Sequence, residues 1–465
     1  TPVAMQRFQN KAMAEAEKAS RETIPEYFYD YQSLDHFNHQ DQRVYSQRYF
    51  KNDSFWAPEQ NGPVFLQIGG EGAISSAYVV DDFEMVVYAQ HHAALVVAVE
   101  HRFYGKSQPF SDISTPNLQY LSSQQALADV AQFIQWMIDT WDGVNENTQF
   151  VTFGCSYPGN LAAWFRLKYP QHTSGSVAGS SPVHAVLDFF QYLDVVDESL
   201  TAFTGIECDS RIRQATEQIE NMLTTSSGQT QLQSDFKTCT MPNNTMDIST
   251  FMSDLMGNWM GTVQYNDEQG NPIDINYLCN IMNNDTMSAY DAYIQVNDLF
   301  LNMDNSDCLS ISYEQMVQEL SIVKALPFGV GFRQWTYQTC FEFGYYQTTD
   351  SPSTAQPFGN LVPIDYYLQM CNDTFSPNGE IVMNPAGNVD QTNALYGGNK
   401  PHGATKIVFV NGSIDPWHSI SVTSDINDSV EAILIQGTAH CANTIPFVKG
   451  QYPLSLALAQ EQVNV

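Results

Sequence analysis

The chain has 465 residues, 43% of them apolar and 12% aromatic. That is too long for one ordinary core and implies two domains, or one domain carrying an insertion. Its 51 acidic against 19 basic residues leave a net charge of -32, which repels phosphate backbones and anionic lipid and so excludes nucleic acid and anionic membrane as partners. The acidic surplus fits an acidic compartment and plain solubility equally well.

No apolar run is long enough to span a bilayer, so membrane insertion is not expected, and Thr1 is expected to follow a removed targeting segment. Along the chain, residues 64–68, 95–99 and 150–153 are short apolar runs that read as buried strands. Between the last two, Ser122 and Gln125 have capping-box spacing. Leu127, Val130, Phe133, Ile134, Met137 and Ile138 then recur at helical spacing. After Phe153 the chain turns over residues 154–159, and a second helix over 161–169 stops at Pro170. Strand and helix in alternation predict a parallel sheet covered on both faces.

From 186 to 398 the strand signal fades and helical patches rich in Gln, Asn, Met and Tyr take over. Six of the eight cysteines fall here. The pattern resumes with strands over 406–410 and 432–436 and a last helix over 453–462. The expected organisation is an α/β core in two parts, 1–185 and 399–465, with a disulfide-stapled helical insertion, 186–398, placed as a cap over the site. The even, scattered cysteines include no C-x-x-C pair, which fits structural disulfides and an oxidising compartment better than zinc or redox chemistry. Sequons at Asn52, Asn243, Asn284, Asn372, Asn411 and Asn427 agree with export.

The sharpest local feature is Gly154-Cys155-Ser156-Tyr157-Pro158-Gly159, between a strand and a helix. That is the setting of a nucleophile elbow, a tight turn that lifts a serine hydroxyl above the sheet. The motif is imperfect, because Pro158 stands where a glycine is usual. A serine of this kind needs a base and an orienting acid, in the chain order Ser, acid, His. Asp415 and His440 each follow one of the two resumed strands, where such a sheet assembles its site. His418 is too near Asp415 in sequence to come from a separate loop. Any one of these residues alone reads equally as surface; the ordered set of three makes the case for Ser156 as nucleophile, His440 as base and Asp415 as orienting acid. For the oxyanion, the Tyr157 amide is one expected donor, and the amide of Gly70 or Glu71, in Gly69-Gly70-Glu71-Gly72 after the first strand, the other. That glycine run lacks the Lys-Ser/Thr of a phosphate loop, and Glu100-His101 is not followed by a second histidine at zinc-binding spacing. No metal and no cofactor are expected.

These stretches, together with Leu34-Asp35-His36-Phe37-Asn38, Gln47-Arg48-Tyr49, Glu100-His101-Arg102-Phe103-Tyr104-Gly105-Lys106-Ser107, Ser181-Pro182-Val183, Trp335-Thr336-Tyr337-Gln338-Thr339-Cys340 and Asn411-Gly412-Ser413-Ile414-Asp415-Pro416-Trp417, resemble the family of lysosomal Pro-X carboxypeptidase, dipeptidyl peptidase II and the thymus-specific serine protease. Phe341-Glu342-Phe343-Gly344 and Tyr396-Gly397-Gly398 are most similar to the thymus-specific branch. The resemblance implies an α/β-hydrolase with an inserted helical cap, a serine peptidase cutting next to proline, and a triad on Ser156, Asp415 and His440. Cys155 and Pro158 depart from the small residues usual in the family beside the nucleophile.

On this reading the partners are proline-containing peptides or proteins, with a second copy of the chain as a further candidate, in a secreted or lysosomal setting. Trp335, Tyr337 and Trp417 are candidates to line an apolar proline slot. Glu71 and Glu342 are candidates to hold an amino terminus and Arg333 a carboxylate. An ester hydrolase with the same triad and a non-catalytic binding protein are the alternatives. Finally, Cys155 precedes the nucleophile and Cys441 follows the base. The triad brings Ser156 and His440 within roughly 3 Å, so these neighbours are expected within the roughly 4.4–6.8 Å Cα separation of a disulfide. The arrangement resembles that of tannases and fungal feruloyl esterases, and it leaves six cysteines to pair within the cap.

Overall fold

The computed structural model describes residues 24–80, 83–266, 273–325, 331–352, 356–450 and 452–464; Thr1 lies outside them. An eight-stranded sheet forms the core, in the order β1-β2-β4-β3-β5-β6-β9-β10. Its strands are β1 (Tyr27–Ser33), β2 (Val44–Asn52), β3 (Val64–Ile68), β4 (Leu95–Val99), β5 (Phe150–Cys155), β6 (Gly175–Gly179), β9 (Ile407–Gly412) and β10 (Val430–Ile435). β1 and β2 run antiparallel at one edge, and every pair from β4 to β10 is parallel. All five residues of β3 and of β4 are buried, as strands covered on both faces require.

Helices α1 (Glu84–His92), α2 (Ser123–Thr140) and α3 (Tyr157–Lys168) connect the first strands. Ser122 caps α2, its Oγ accepting from the Gln125 amide at 3.2 Å. The Gln125 side chain turns instead to Asp35 and the His36 amide. The N-terminus of α2 gains its second acceptor from far along the chain, in Glu342, whose two oxygens each lie 3.0 Å from the Ser123 amide.

Between β6 and β9 the chain adds no strand to the large sheet. A two-stranded parallel pair, β7 (Val186–Asp188) with β8 (Gly344–Tyr346), brackets most of a helical layer. Its members include α4 (Gln191–Thr204), α5 (Ile206–Leu223), α6 (Thr245–Gln264), α7 (Ile275–Met282), α8 (Phe332–Gln338), α9 (Ile364–Phe375) and α10 (Pro385–Tyr396). α6 is its axis, buried without a break from Ser249 to Gln264. Disulfides Cys208–Cys279, Cys239–Cys308 and Cys340–Cys371 staple this layer internally. The chain ends on α11 (Leu454–Val463). No helix among the described residues is long and apolar enough to cross a membrane.

Candidate active site

The site grows out of the turn between β5 and α3. Ser156 sits there with φ 63 and ψ -133, a conformation a side chain adopts only when its surroundings impose it. The imposing contacts are short. A Cβ on Gly154 would lie 2.0 Å from the Pro158 carbonyl oxygen, and one on Gly159 would lie 2.6 Å from that of Gly179. The Ser156 amide donates to the Gly179 carbonyl at 2.9 Å, which locks the turn to β6.

Asp415 and His440 arrive from the ends of β9 and β10. His440 Nδ1 lies 2.9 Å from Asp415 Oδ2, and both residues are buried. The other Asp415 oxygen accepts from the Trp417 amide at 3.1 Å, so the carboxylate is held at both ends. His418 directs its Nδ1 to the Asp415 backbone carbonyl and takes no part in this pair. The His440 loop is fixed by its own amide, which donates to the Gln264 carbonyl at 3.0 Å, and by the Cys441 amide, which donates to Ser180 Oγ at 2.9 Å. Cys155 and Cys441 form a disulfide with a Cα separation of 5.8 Å, bridging 286 positions.

The glycine loop after β3 closes on the elbow. A Cβ on Gly70 would lie 2.3 Å from Pro158 Cγ, so only glycine permits the approach that brings the backbone of 70 and 71 beside Ser156. Tyr157 is pinned through its side chain. Gln338 Nε2 donates to its hydroxyl at 2.9 Å, and His101 Nε2 lies 3.0 Å from the same oxygen. Burial pushes His101 down to about 4, so its ring is neutral, with Nδ1 donating to the Arg102 carbonyl at 2.7 Å and Nε2 accepting from Tyr157. Tyr104 completes the chain by donating to Gln338 Oε1 at 2.6 Å.

A narrow cleft opens beside Ser156 and Tyr157, lined by Glu71, Pro182, Gln264, Trp335, Thr339, Tyr345, Tyr346, Gln347 and Trp417. Trp335 and Trp417 thus stand where a slot was expected. Tyr337 does not: it is stacked on Phe341 at 4.2 Å and packed edge-on to Phe375. Two charged candidates are also corrected. Glu342 is turned to the start of α2, accepting from Ser123 Oγ at 2.7 Å as well as from its amide, and burial raises its carboxyl to about 7. Arg333 spends its guanidinium on the carbonyls of Ile113 and Leu320 and on Thr115 Oγ1, at 2.8–3.0 Å. It lies over the Phe375 ring, and burial lowers it to about 10. Neither residue lines the cleft. Of the sequons, Asn411 is buried in β9 with its amide on the Val422 carbonyl, out of reach of a glycan, whereas Asn243 and Asn427 are exposed.

Sequence reasoning missed Gln264. Its Oε1 accepts from Tyr192 Oη at 2.7 Å and Trp417 Nε1 at 2.9 Å, while its carbonyl holds His440. It missed Gln338 and His101 as well. His101 and Gln338 fall inside stretches that carry the resemblance, but nothing local shows their role, since their partners lie far away in sequence. Among the described residues no cluster of side chains is arranged to bind a metal ion.

A strand-turn-helix serine beside a buried Asp–His pair at the carboxyl ends of parallel strands defines an α/β-hydrolase. The chain matches the serine carboxypeptidase S28 family over residues 32–463. It is 36% identical to the human thymus-specific serine protease over 441 residues, covering 93% of this chain and 84% of that protein. It is 27% identical to bovine lysosomal Pro-X carboxypeptidase over 431 residues, covering 89% and 81%. Among solved structures, the thioesterase domain from the curacin biosynthetic pathway covers 90% of this chain and 94% of its own at 11% identity, with a TM-score of 0.35, too loose a likeness to define the fold. The chain belongs to the S28 family and is a serine-type peptidase acting on peptide substrates.

Proposed function

We propose that this peptidase cuts on the carboxyl side of proline through an acyl-enzyme, with Ser156 as nucleophile, His440 as general base and then acid, and Asp415 as the group that orients it. In this scheme Ser156 Oγ attacks the carbonyl carbon as His440 Nε2 takes its proton. The tetrahedral oxygen is held by the amides of Tyr157 and of Gly70 or Glu71. His440 then protonates the leaving amine, and water repeats the sequence to free the acid. The observation that carries the reading is the buried Asp415–His440 pair at 2.9 Å, tied to the elbow by the Cys155–Cys441 bridge.

The proline preference is supported by the cleft wall. Trp335, Trp417, Tyr345 and Pro182 offer flat apolar faces, and Tyr345 meets Trp417 edge-on at 5.5 Å. A compact ring without an N–H suits such a surface. Residues 186–398 act as a cap that restricts entry, and the four disulfides fit a secreted or lysosomal setting.

The test is a fluorophosphonate label followed by a digest of a mixed peptide library read by mass spectrometry. Label is expected on Ser156 and absent from Ser156→Ala, with proline before the cut in the products. Labelling at another residue, or a preference for basic or large aromatic residues at that position, would overturn the proposal.

A further inference from the structure

Which end of a peptide the cleft holds follows from its charges. Three side chains were candidates to pair with a terminus, and the fold removes two of them from the cleft: Glu342 is spent on the start of α2, and Arg333 on three neutral acceptors. Glu71 alone lines the cleft together with Ser156. The rest of the lining is aromatic, hydroxyl, amide or proline; among the described residues it includes no Lys or Arg. A peptide carboxylate entering here meets no cation, and the chain's net charge of -32 opposes its approach. An ammonium meets one partly exposed carboxylate.

That carboxylate, on Glu71, is partly exposed to solvent. Among the described residues it takes a hydrogen bond from its own backbone amide and forms no ion pair, and burial raises its pKa with only partial relief from His440. A partly desolvated carboxylate without a cation gains a charge-assisted hydrogen bond from an arriving ammonium. Its position also fixes the side of the scissile bond. Glu71 follows Gly70 in the loop that packs on Pro158. In the proposed mechanism this loop receives the carbonyl of the residue before the cut, so Glu71 faces the acyl side, where the amino-terminal part of the peptide lies. A peptide advances about 3.3–3.6 Å per residue, so a terminus within reach of one glutamate belongs to a residue one or two before the one that is acylated.

We infer that Glu71 is a specificity-determining residue that binds the free α-ammonium of the substrate, making this enzyme an exopeptidase that releases short amino-terminal fragments rather than single carboxyl-terminal residues. The inference rests on the proposed triad and oxyanion loop, but not on the preference for proline.

The experiment uses the full chain and one mixed-sequence peptide library in four forms: free at both ends, acetylated at the amino end, amidated at the carboxyl end, and blocked at both. Acetylation is expected to lower kcat/KM at least tenfold, and amidation to leave it within about twofold, with products that carry the original amino terminus. In Glu71→Gln the ratio of the free-amine rate to the acetylated rate is expected to fall to about one, whatever the change in overall rate; a merely structural role would lower both together and leave the ratio intact. Equal rates for free and acetylated peptides, loss on amidation, or a Glu71→Gln variant that keeps the preference would each overturn the inference. The residue before the cut is read from the same products, so a failure of the proline reading is seen separately. If Ser156 is labelled yet no peptide is cut, the peptidase mechanism and this inference fall together.

Discussion

Glu342 links the inserted helical layer to the start of α2, and its protonation makes that link sensitive to pH. Its carboxyl is moved from an ordinary 4.5 to about 7, first by burial and against the opposing hydrogen bonds of Ser123. A folded carboxyl that holds its proton more tightly than the unfolded one contributes stability that is fully present below pH 4.5 and lost as the pH rises to about 7. The displacement corresponds to about 3 kcal/mol. Glu342→Gln keeps the shape and an acceptor for Ser123 but removes the ionisation. The variant and the parent are therefore expected to unfold alike near pH 4.5 and to separate by about 3 kcal/mol near pH 8, with Gln the more stable. For a chain this long the unfolding entropy is about 1 kcal/mol per degree, so the separation is about 3 °C in Tm. Differential scanning calorimetry across pH 4.5–8 measures it. His101, buried and held neutral at about 4, acts with the opposite sign, its contribution being lost as the pH falls below 6.5, but both proteins carry it and it cancels in the difference. Parallel Tm–pH curves for variant and parent would refute the reasoning.

Four further outcomes follow from the site. Asp415→Asn should lose about 10⁴ in kcat, as in other enzymes where the amide imposes the wrong histidine tautomer; near-full activity on a peptide reporter would send the search to another acid. Replacing Cys155 and Cys441 together by serine opens a bridge across 286 positions and should cost about 2–5 kcal/mol of stability in denaturant titration, with a fall in kcat as the His440 loop loosens; an unchanged midpoint would show the bridge to be idle. Gln264→Ala removes the acceptor of the Trp417 indole, at about 1–3 kcal/mol, and a Tm equal to the parent's would contradict this. Gly70→Ala drives a methyl to 2.3 Å from the Pro158 ring and should cut kcat at least tenfold, with Pro158→Gly added in the double variant restoring part of it; additive losses would deny the contact.

Much of the sheet was legible because β3, β4 and β9 are buried apolar runs, which a sequence displays directly. β1 and β2 were not read as strands. They are the antiparallel strands at one end of the sheet, β1 at the edge and β2 between β1 and β4, and they carry Asp, Gln, Ser and Arg; the buried polar members find partners across the fold, as Gln32 does on Gln47 and on the Asp129 carbonyl. β6, Gly-Ser-Val-Ala-Gly, carries almost no strand signal. Gly179 answers to packing instead, since a Cβ there would lie 2.7 Å from the Asn443 side chain. Of the site, Ser156, Asp415 and His440 were readable because each follows a strand. The supporting amides were not, because Gln264 and Gln338 lie at the ends of helices in the inserted layer, 153 positions from Trp417 and 181 from Tyr157 respectively. Glu342 was misread for the reason that makes it informative: in the sequence its charge has no visible partner, whereas in the fold it serves a helix start 219 positions earlier.

The two departures in the elbow also acquire a physical reading. A proline in the first turn of a helix costs no hydrogen bond, and Pro158 occupies that position in α3. Its ring fills the space that the missing side chain of Gly70 leaves open, so the oxyanion loop rests on the elbow itself. Cys155 does the same for the other side of the site, holding the His440 loop through Cys441. Both loops come from parts of the chain remote from residues 155–158, and the His440 loop is separated from them by the whole helical layer. A triad divided by so large an insertion depends on contacts that close across it, and this chain places one of them on each side of the proposed nucleophile.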